Sequence, residues 1–97
     1  MTSLNEHTAL HLADLFGTLS DASRLRIIDS LLQGEQSVGK IASTLRMTES
    51  AVSHQLRRLR DMRLVRIRKA GRQVFYSLDD DHVASLFGMG LEHVLHG

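Results

Sequence analysis

The spacing of apolar residues changes period twice along this chain, and that change restricts the folds open to it. Val52, Leu56, Leu59 and Met62 recur at helical intervals. After Arg63 the interval shortens. Leu64-Val65-Arg66-Ile67-Arg68 reads as a strand, Lys69-Ala70-Gly71-Arg72 as a turn, and Gln73-Val74-Phe75-Tyr76-Ser77-Leu78 as the partner strand. From Asp79 or Asp80 the helical interval returns, with Val83, Leu86, Phe87, Leu91, Val94 and Leu95 as its apolar set. Upstream, Leu10, Leu12, Ala13, Leu15 and Phe16 predict a helix from about Thr8 to Gly17. A second helix runs from a Ser20 or Asp21 cap through Leu25, Ile27, Ile28, Leu31 and Leu32 and stops before Gly34. Ser37 caps a short helix carrying Val38, Ile41, Ala42 and Leu45, and only Arg46 and Met47 separate it from Thr48, the cap of the next helix. Two helices joined so tightly predict a helix-turn-helix, and the hairpin after it completes a winged helix-turn-helix, mainly α with a β-hairpin wing.

Composition narrows the function classes. With 97 residues the chain is expected to form one domain over 1–97. A domain of this size buries only about two-thirds of its unfolded surface, so a homo-oligomer is expected. The chain has no cysteine, which excludes disulfide scaffolds, thiolate zinc fingers, redox dithiols and thiol nucleophiles together. No apolar run approaches the roughly 20 residues that span a bilayer, and the first residues lack the layout of a signal peptide. The expectation is a cytoplasmic protein with no membrane partner. Nucleophile-elbow, P-loop and His-Glu-x-x-His motifs are absent, so an enzyme is not expected.

A formal charge of +1 conceals an uneven distribution. The segment from Arg46 to Arg72 holds nine basic residues and two acidic ones, a net +7 that the rest of the chain offsets with −6. A concentrated basic stripe is the footprint of a phosphate-backbone binder, although a solvated helix face has the same composition. The helix after Thr48 offers Ser50, Ser53, His54, Gln55, Arg57 and Arg58 to double-stranded DNA. Small hydroxyls approach phosphates or base edges closely, and arginine toward guanine is the commonest specific contact. Lys69 and Arg72 at the wing tip are expected on the backbone or in the minor groove.

Val38-Gly39-Lys40-Ile41-Ala42-Ser43-Thr44-Leu45, then Ser50-Ala51-Val52-Ser53-His54-Gln55-Leu56-Arg57-Arg58-Leu59-Arg60, resembles the ArsR/SmtB family of bacterial metal-sensing repressors. Leu64-Val65, Gly71-Arg72 and Tyr76-Ser77-Leu78 extend the resemblance, which covers about Leu15 to His96. It implies a homodimeric winged-helix repressor that dimerises through its N- and C-terminal helices, sits on an inverted-repeat operator and is released when metal binds. Many members carry a thiolate site with a cysteine in the first helix-turn-helix segment. Ser37 stands at the comparable position here, so that kind of site is absent.

Asp80, His82, His93 and His96 have metal-ligand chemistry. The first two lie at a helix entrance, and the last two are three residues apart, on one face of the same helix. His82 and His93 are 11 residues apart. That is about 16 Å of helix rise, whereas imidazole nitrogens approach zinc to about 2.0–2.1 Å. Both pairs of one straight helix therefore cannot hold one ion. Two copies running antiparallel about a two-fold axis would form two sites, each with one carboxylate and three imidazoles. That donor set suits Zn(II) and accommodates Co(II) or Ni(II). The Asp-x-His plus His-x-x-His pattern is similar to the C-terminal-helix site of zinc- and cobalt-sensing members, some of which have glutamate where this chain has His96. Asp79 and Asp81 read as solvated neighbours, and a one-residue register change would put either in place of Asp80. His7 and His11 are four residues apart and are either an exposed helix face or a chelating pair that expands the coordination. The expectation is a metal-responsive repressor. The alternative is a metal-independent winged-helix repressor with a non-functional site.

Overall fold

The computed structural model describes residues 4–97. It contains α1 (Glu6–Leu19), α2 (Ala22–Leu31), β1 (Gln36–Ser37), α3 (Val38–Leu45), α4 (Glu49–Asp61), β2 (Val65–Ala70), β3 (Gln73–Leu78) and α5 (Asp81–His96). Side-chain oxygens start most of the helices. Asn5, Ser37, Thr48 and Asp80 accept from backbone N–H groups that have no partner in the first turns of α1, α3, α4 and α5. Asp21 occupies the cap of α2 without such a bond.

The core forms where α2, α3 and α4 cross. Ile27, Ile28, Ile41, Val52, Leu56 and Leu59 are all fully buried there, and Leu64, Val65 and Val83 close the cluster from the wing and α5. The stripe Val52, Leu56, Leu59 expected of α4 is its inner face. Fully burying side chains of this kind contributes roughly 1.5–3 kcal/mol each, so α4 is anchored mainly by non-directional contacts.

Three features differ from the periodicity. First, α1 runs from Glu6 to Leu19 rather than from Thr8 to Gly17. Gly17 is tolerated inside it, and the next residue, Thr18, is buried with its hydroxyl returned to the Asp14 carbonyl at 2.9 Å. Second, the sheet has three antiparallel strands in the order β1-β3-β2, with Gln36 opposite Tyr76 and Ser37 opposite Phe75. A two-residue strand is too short to show alternation, so β1 leaves no pattern in the sequence. Third, the hairpin is tighter than expected. Lys69 and Ala70 belong to β2 and pair with Val74 and Gln73, which leaves Gly71 and Arg72 as the loop. Gly71 has φ +62, and Arg72 is not among the positive-φ residues. Glycine at the first central position is what a two-residue II′ turn requires.

The terminal helices are only half covered. Of α5, Val83 alone is buried, and Met89, Leu91, Val94 and Leu95 are exposed, Val94 at 80%. Leu10, Leu12 and Phe16 of α1 are exposed as well. Phe16, Leu25, Phe87, Leu91 and Val94 line one continuous apolar groove between α1, α2 and α5.

Candidate nucleic-acid interface and metal ligands

The turn between α3 and α4 is built by backbone bonds. Arg46 ends α3 in the left-handed region (φ 57), and Met47 N donates to the Ala42 carbonyl at 3.0 Å. Arg26 Nη2 reaches the Leu45 carbonyl at 3.0 Å, partnering one of the acceptors left at the helix end. Thr48 Oγ1 then accepts from Ala51 N at 3.0 Å and starts α4. This fixes the entry of α4 at the surface, with Ser50, His54, Arg57 and Arg58 exposed and Ser53 half-buried. These five residues repeat at intervals of three and four and form one stripe, opposite Val52, Leu56 and Leu59.

Gln55 does not share that stripe. It lies three residues after Val52 and four before Leu59, on the inner side, and it is half-buried. Its Oε1 accepts from Arg24 Nε of α2 at 2.8 Å. Arg24 Nη1 donates to the Thr18 carbonyl in the last turn of α1 at 2.9 Å, and Asp21 Oδ2 lies 3.5 Å from Nε. Sequence reasoning missed Arg24. The available signal was that Gln55 shares the register of Val52 and Leu59 and, being polar and inward, needs a partner.

On the wing, Lys69 and Arg72 are exposed at and beside the turn. Arg68 is committed elsewhere. Its Nε and Nη2 donate to the two Glu35 oxygens at 2.9 and 2.7 Å, and its guanidinium stands 4.9 Å from the Phe75 ring centroid. The Arg68 hydrogen bonds, aided by its charge, hold the Glu35 carboxyl below its ordinary value, and the same pairing raises Arg68. Of the nine cations in the basic segment, this one is therefore neutralised locally and ties the wing to the loop before β1.

The residues singled out as metal ligands sit at the two ends of α5. Asp80 Oδ1 accepts from His82 N at 2.9 Å and Val83 N at 3.2 Å, and Oδ2 lies 3.4 Å from His82 Nδ1. Partial desolvation pushes the Asp80 carboxyl up. The His82 side chain, the two backbone donors and the His82 charge outweigh it, so the group titrates below its ordinary value. The His82 side chain is 96% exposed. His93 and His96 are exposed and line an open groove with Ser85, Gly88 and Glu92. Among the described residues of a single chain, no three His, Asp or Glu side chains gather to hold a metal ion. The structure thus keeps Asp80 with His82 and His93 with His96, and does not bring the two pairs together. His7 and His11 lie side by side on the exposed face of α1, with ring centroids 4.4 Å apart and planes tilted by 47°.

A tight helical turn, an outward polar stripe on the second helix and a hairpin with a cationic tip define a winged helix-turn-helix protein. Residues 21–66 match the model of bacterial regulatory proteins of the arsR family. The chain is 41% identical over 93 residues to the HTH-type transcriptional regulator NmtR of Mycobacterium tuberculosis, covering 96% of this chain and 78% of that relative. It is 45% identical over 86 residues to a transcriptional repressor SmtB homolog of Synechocystis, covering 89% of this chain and 65% of that relative. Solved structures agree. Apo-NmtR superposes with a TM-score of 0.83 at 39% identity, covering 100% of this chain and 82% of that one. A homodimeric winged helix-turn-helix DNA-binding domain from Mycobacterium bovis gives 0.83 at 30% identity, covering 100% and 96%. The chain belongs to the arsR family.

Proposed function

We propose that this chain is a metal-responsive transcriptional repressor, cytoplasmic and non-enzymatic. It binds an inverted-repeat DNA operator as a homodimer and leaves it when a divalent cation binds. Ser50, Ser53, His54, Arg57 and Arg58 face DNA from α4, with Lys69 and Arg72 on the wing. The names of the relatives support the DNA-binding half: one is a transcriptional repressor homolog, another a cadmium resistance transcriptional regulatory protein homolog from Staphylococcus aureus. One observation carries the metal half. A single 16-residue helix bears an exposed Asp80–His82 pair at its start and an exposed His93–His96 pair at its end.

The donors fit the ion. Asp80 Oδ1 is occupied in capping α5, and Oδ2 has no backbone partner, so the carboxylate offers one oxygen. Three imidazoles complete a four-donor set that suits Zn(II) and accommodates Co(II) or Ni(II). Asp80 and His82 of one protomer, with His93 and His96 of the partner subunit, would hold it. Bound there, a cation supplies a cross-link between subunits. The chain's own part is to keep its ligand pairs on a rigid helix and to pass the constraint through α5 to the core at Val83. Couplings of this kind are typically worth about 5–150-fold in affinity and are reciprocal.

The test is fluorescence anisotropy with the duplex that the chain selects from a randomised DNA library, with and without zinc. Zinc should weaken binding of the wild type, and His93→Ala should bind the duplex normally while ignoring zinc. Equal affinity with and without zinc in the wild type would return the chain to the metal-independent reading.

A further inference from the structure

We propose that Arg24 is a positioning residue for DNA reading, a latch that sets the rotation of α4 through Gln55 and ties it to the end of α1. The inference rests on the DNA-binding half of the function above. Val52, Leu56 and Leu59 hold α4 against the core through contacts that resist separation but have no preferred direction. At the tips of side chains on a helix about 10–12 Å across, a roll of about 20° displaces a donor by about 2 Å, enough to break a hydrogen bond. A directional contact on the inner face is what opposes such a roll. Among the described residues, the bond from Arg24 Nε to Gln55 Oε1 at 2.8 Å is the one side-chain hydrogen bond shown between α2 and α4.

The geometry of Arg24 makes the latch more than a local contact. Its guanidinium spans three elements, with Gln55 on α4, the Thr18 carbonyl in the last turn of α1 and Asp21 at the cap of α2. Its side chain is only 17% exposed, so water competes weakly for these donors. The Thr18 carbonyl belongs to the last turn of α1, where carbonyls lack helical partners, and Arg24 supplies one. The rigid planar fork of arginine joins two acceptors at fixed angles, which lysine cannot do. Any surface that packs on the exposed apolar face of α1 is thereby connected to the stripe of α4 through two hydrogen bonds. In this arrangement Arg24 acts on DNA reading through Gln55, which does not touch bases.

A double-mutant cycle on the full chain separates the latch from a base contact. The probes are the duplex selected by the wild type and a scrambled duplex of equal length, with thermal melting recorded alongside. Arg24→Ala and Gln55→Ala should each weaken the selected duplex by about tenfold, the worth of a charged hydrogen bond. The double variant should be no weaker than either single one, and scrambled-duplex binding should be unchanged. Gln55→Glu keeps an acceptor for the guanidinium and strengthens the bond, so it should stay within about threefold of wild type. A base-contacting Gln55 gives the opposite result: a carboxylate there loses more affinity than alanine, and the single losses add. Either outcome overturns the latch. Should Arg24→Ala fail to fold, the order of Gln55→Glu and Gln55→Ala decides alone. A wild type that selects no duplex at all refutes the DNA-binding reading instead.

Discussion

Completing each site across a subunit boundary has an arithmetic consequence that a site within one chain would not have. The rise of α5 between His82 and His93 is about 16 Å, many times a metal–ligand distance, so in the proposed arrangement each site would draw one pair from each copy. Consider one variant lacking the first pair, Asp80→Asn with His82→Ala, and another lacking the second, His93→Ala with His96→Ala. Asparagine is chosen at position 80 because it caps a helix as well as aspartate does, which protects the two bonds from Asp80 Oδ1 that start α5. Neither homodimer contains an intact site. When equal amounts are unfolded and refolded together, half the dimers are mixed, each with one complete site and one empty one. Occupancy should rise to about one quarter of a site per chain, against one for wild type. Cobalt(II) titration with visible absorption reads this directly, because four-coordinate cobalt absorbs intensely and free cobalt does not. A mixture whose absorption equals the mean of its two parents would refute the reasoning, as would a parent that keeps the wild-type spectrum by itself.

Two further outcomes follow from the start of α4 and from the wing. Thr48→Ala removes the acceptor for Ala51 N and should cost about 1 kcal/mol, with Thr48→Ser close to wild type. For a chain of this size that lowers the melting temperature by about 4–8 °C, read by circular dichroism, and unchanged melting would deny the cap its role. Glu35 titrates below its ordinary value because of Arg68, so the pair stabilises the wing above the usual carboxylate range. That contribution is lost as pH falls through the lowered value. Protection of the β2 amides, the exchange rate relative to an unstructured peptide at the same pH, should therefore fall at acid pH in the wild type, and Glu35→Gln should be less protected already at neutral pH with a flatter response. A variant that keeps the wild-type pH profile would remove Glu35 from the wing's stability.

What the sequence revealed and what it hid divide along physical lines. The starts of α3, α4 and α5 were legible because caps are local: Ser37, Thr48 and Asp80 act on groups two or three residues away, whereas the Asn5 cap of α1 was missed. The wing was legible from the change of period, but its turn was not. Nothing in the composition of Lys69-Ala70-Gly71-Arg72 shows that pairing continues through Ala70, and only the register with Gln73 decides it. Strand β1 was invisible because Gln36 and Ser37 are defined by partners some forty residues downstream. Gln55, expected among the DNA-facing residues, lies on the inner side as its spacing from Val52 and Leu59 implies, half-buried and bonded to Arg24. At that position spacing was the better guide than polarity.

The terminal helices make the complementary case. Leu10 and Phe16 in α1, and Leu91 and Val94 in α5, have the periodicity of buried residues, yet all four are exposed. Periodicity records that a face is suited to burial and is silent about which chain buries it. Apolar exposure of this extent, gathered on two neighbouring helices, marks an interaction surface rather than scattered surface residues. Helix α5 also carries two pairs of candidate ligands, Asp80 with His82 and His93 with His96, that a single chain does not bring together. A single assumption, an antiparallel second copy across the α1–α5 face, covers the apolar surface and joins Asp80–His82 to His93–His96 of the partner subunit. Two independent deficits of the isolated chain would then have one remedy, and the mixed-variant experiment tests that remedy at the ligands.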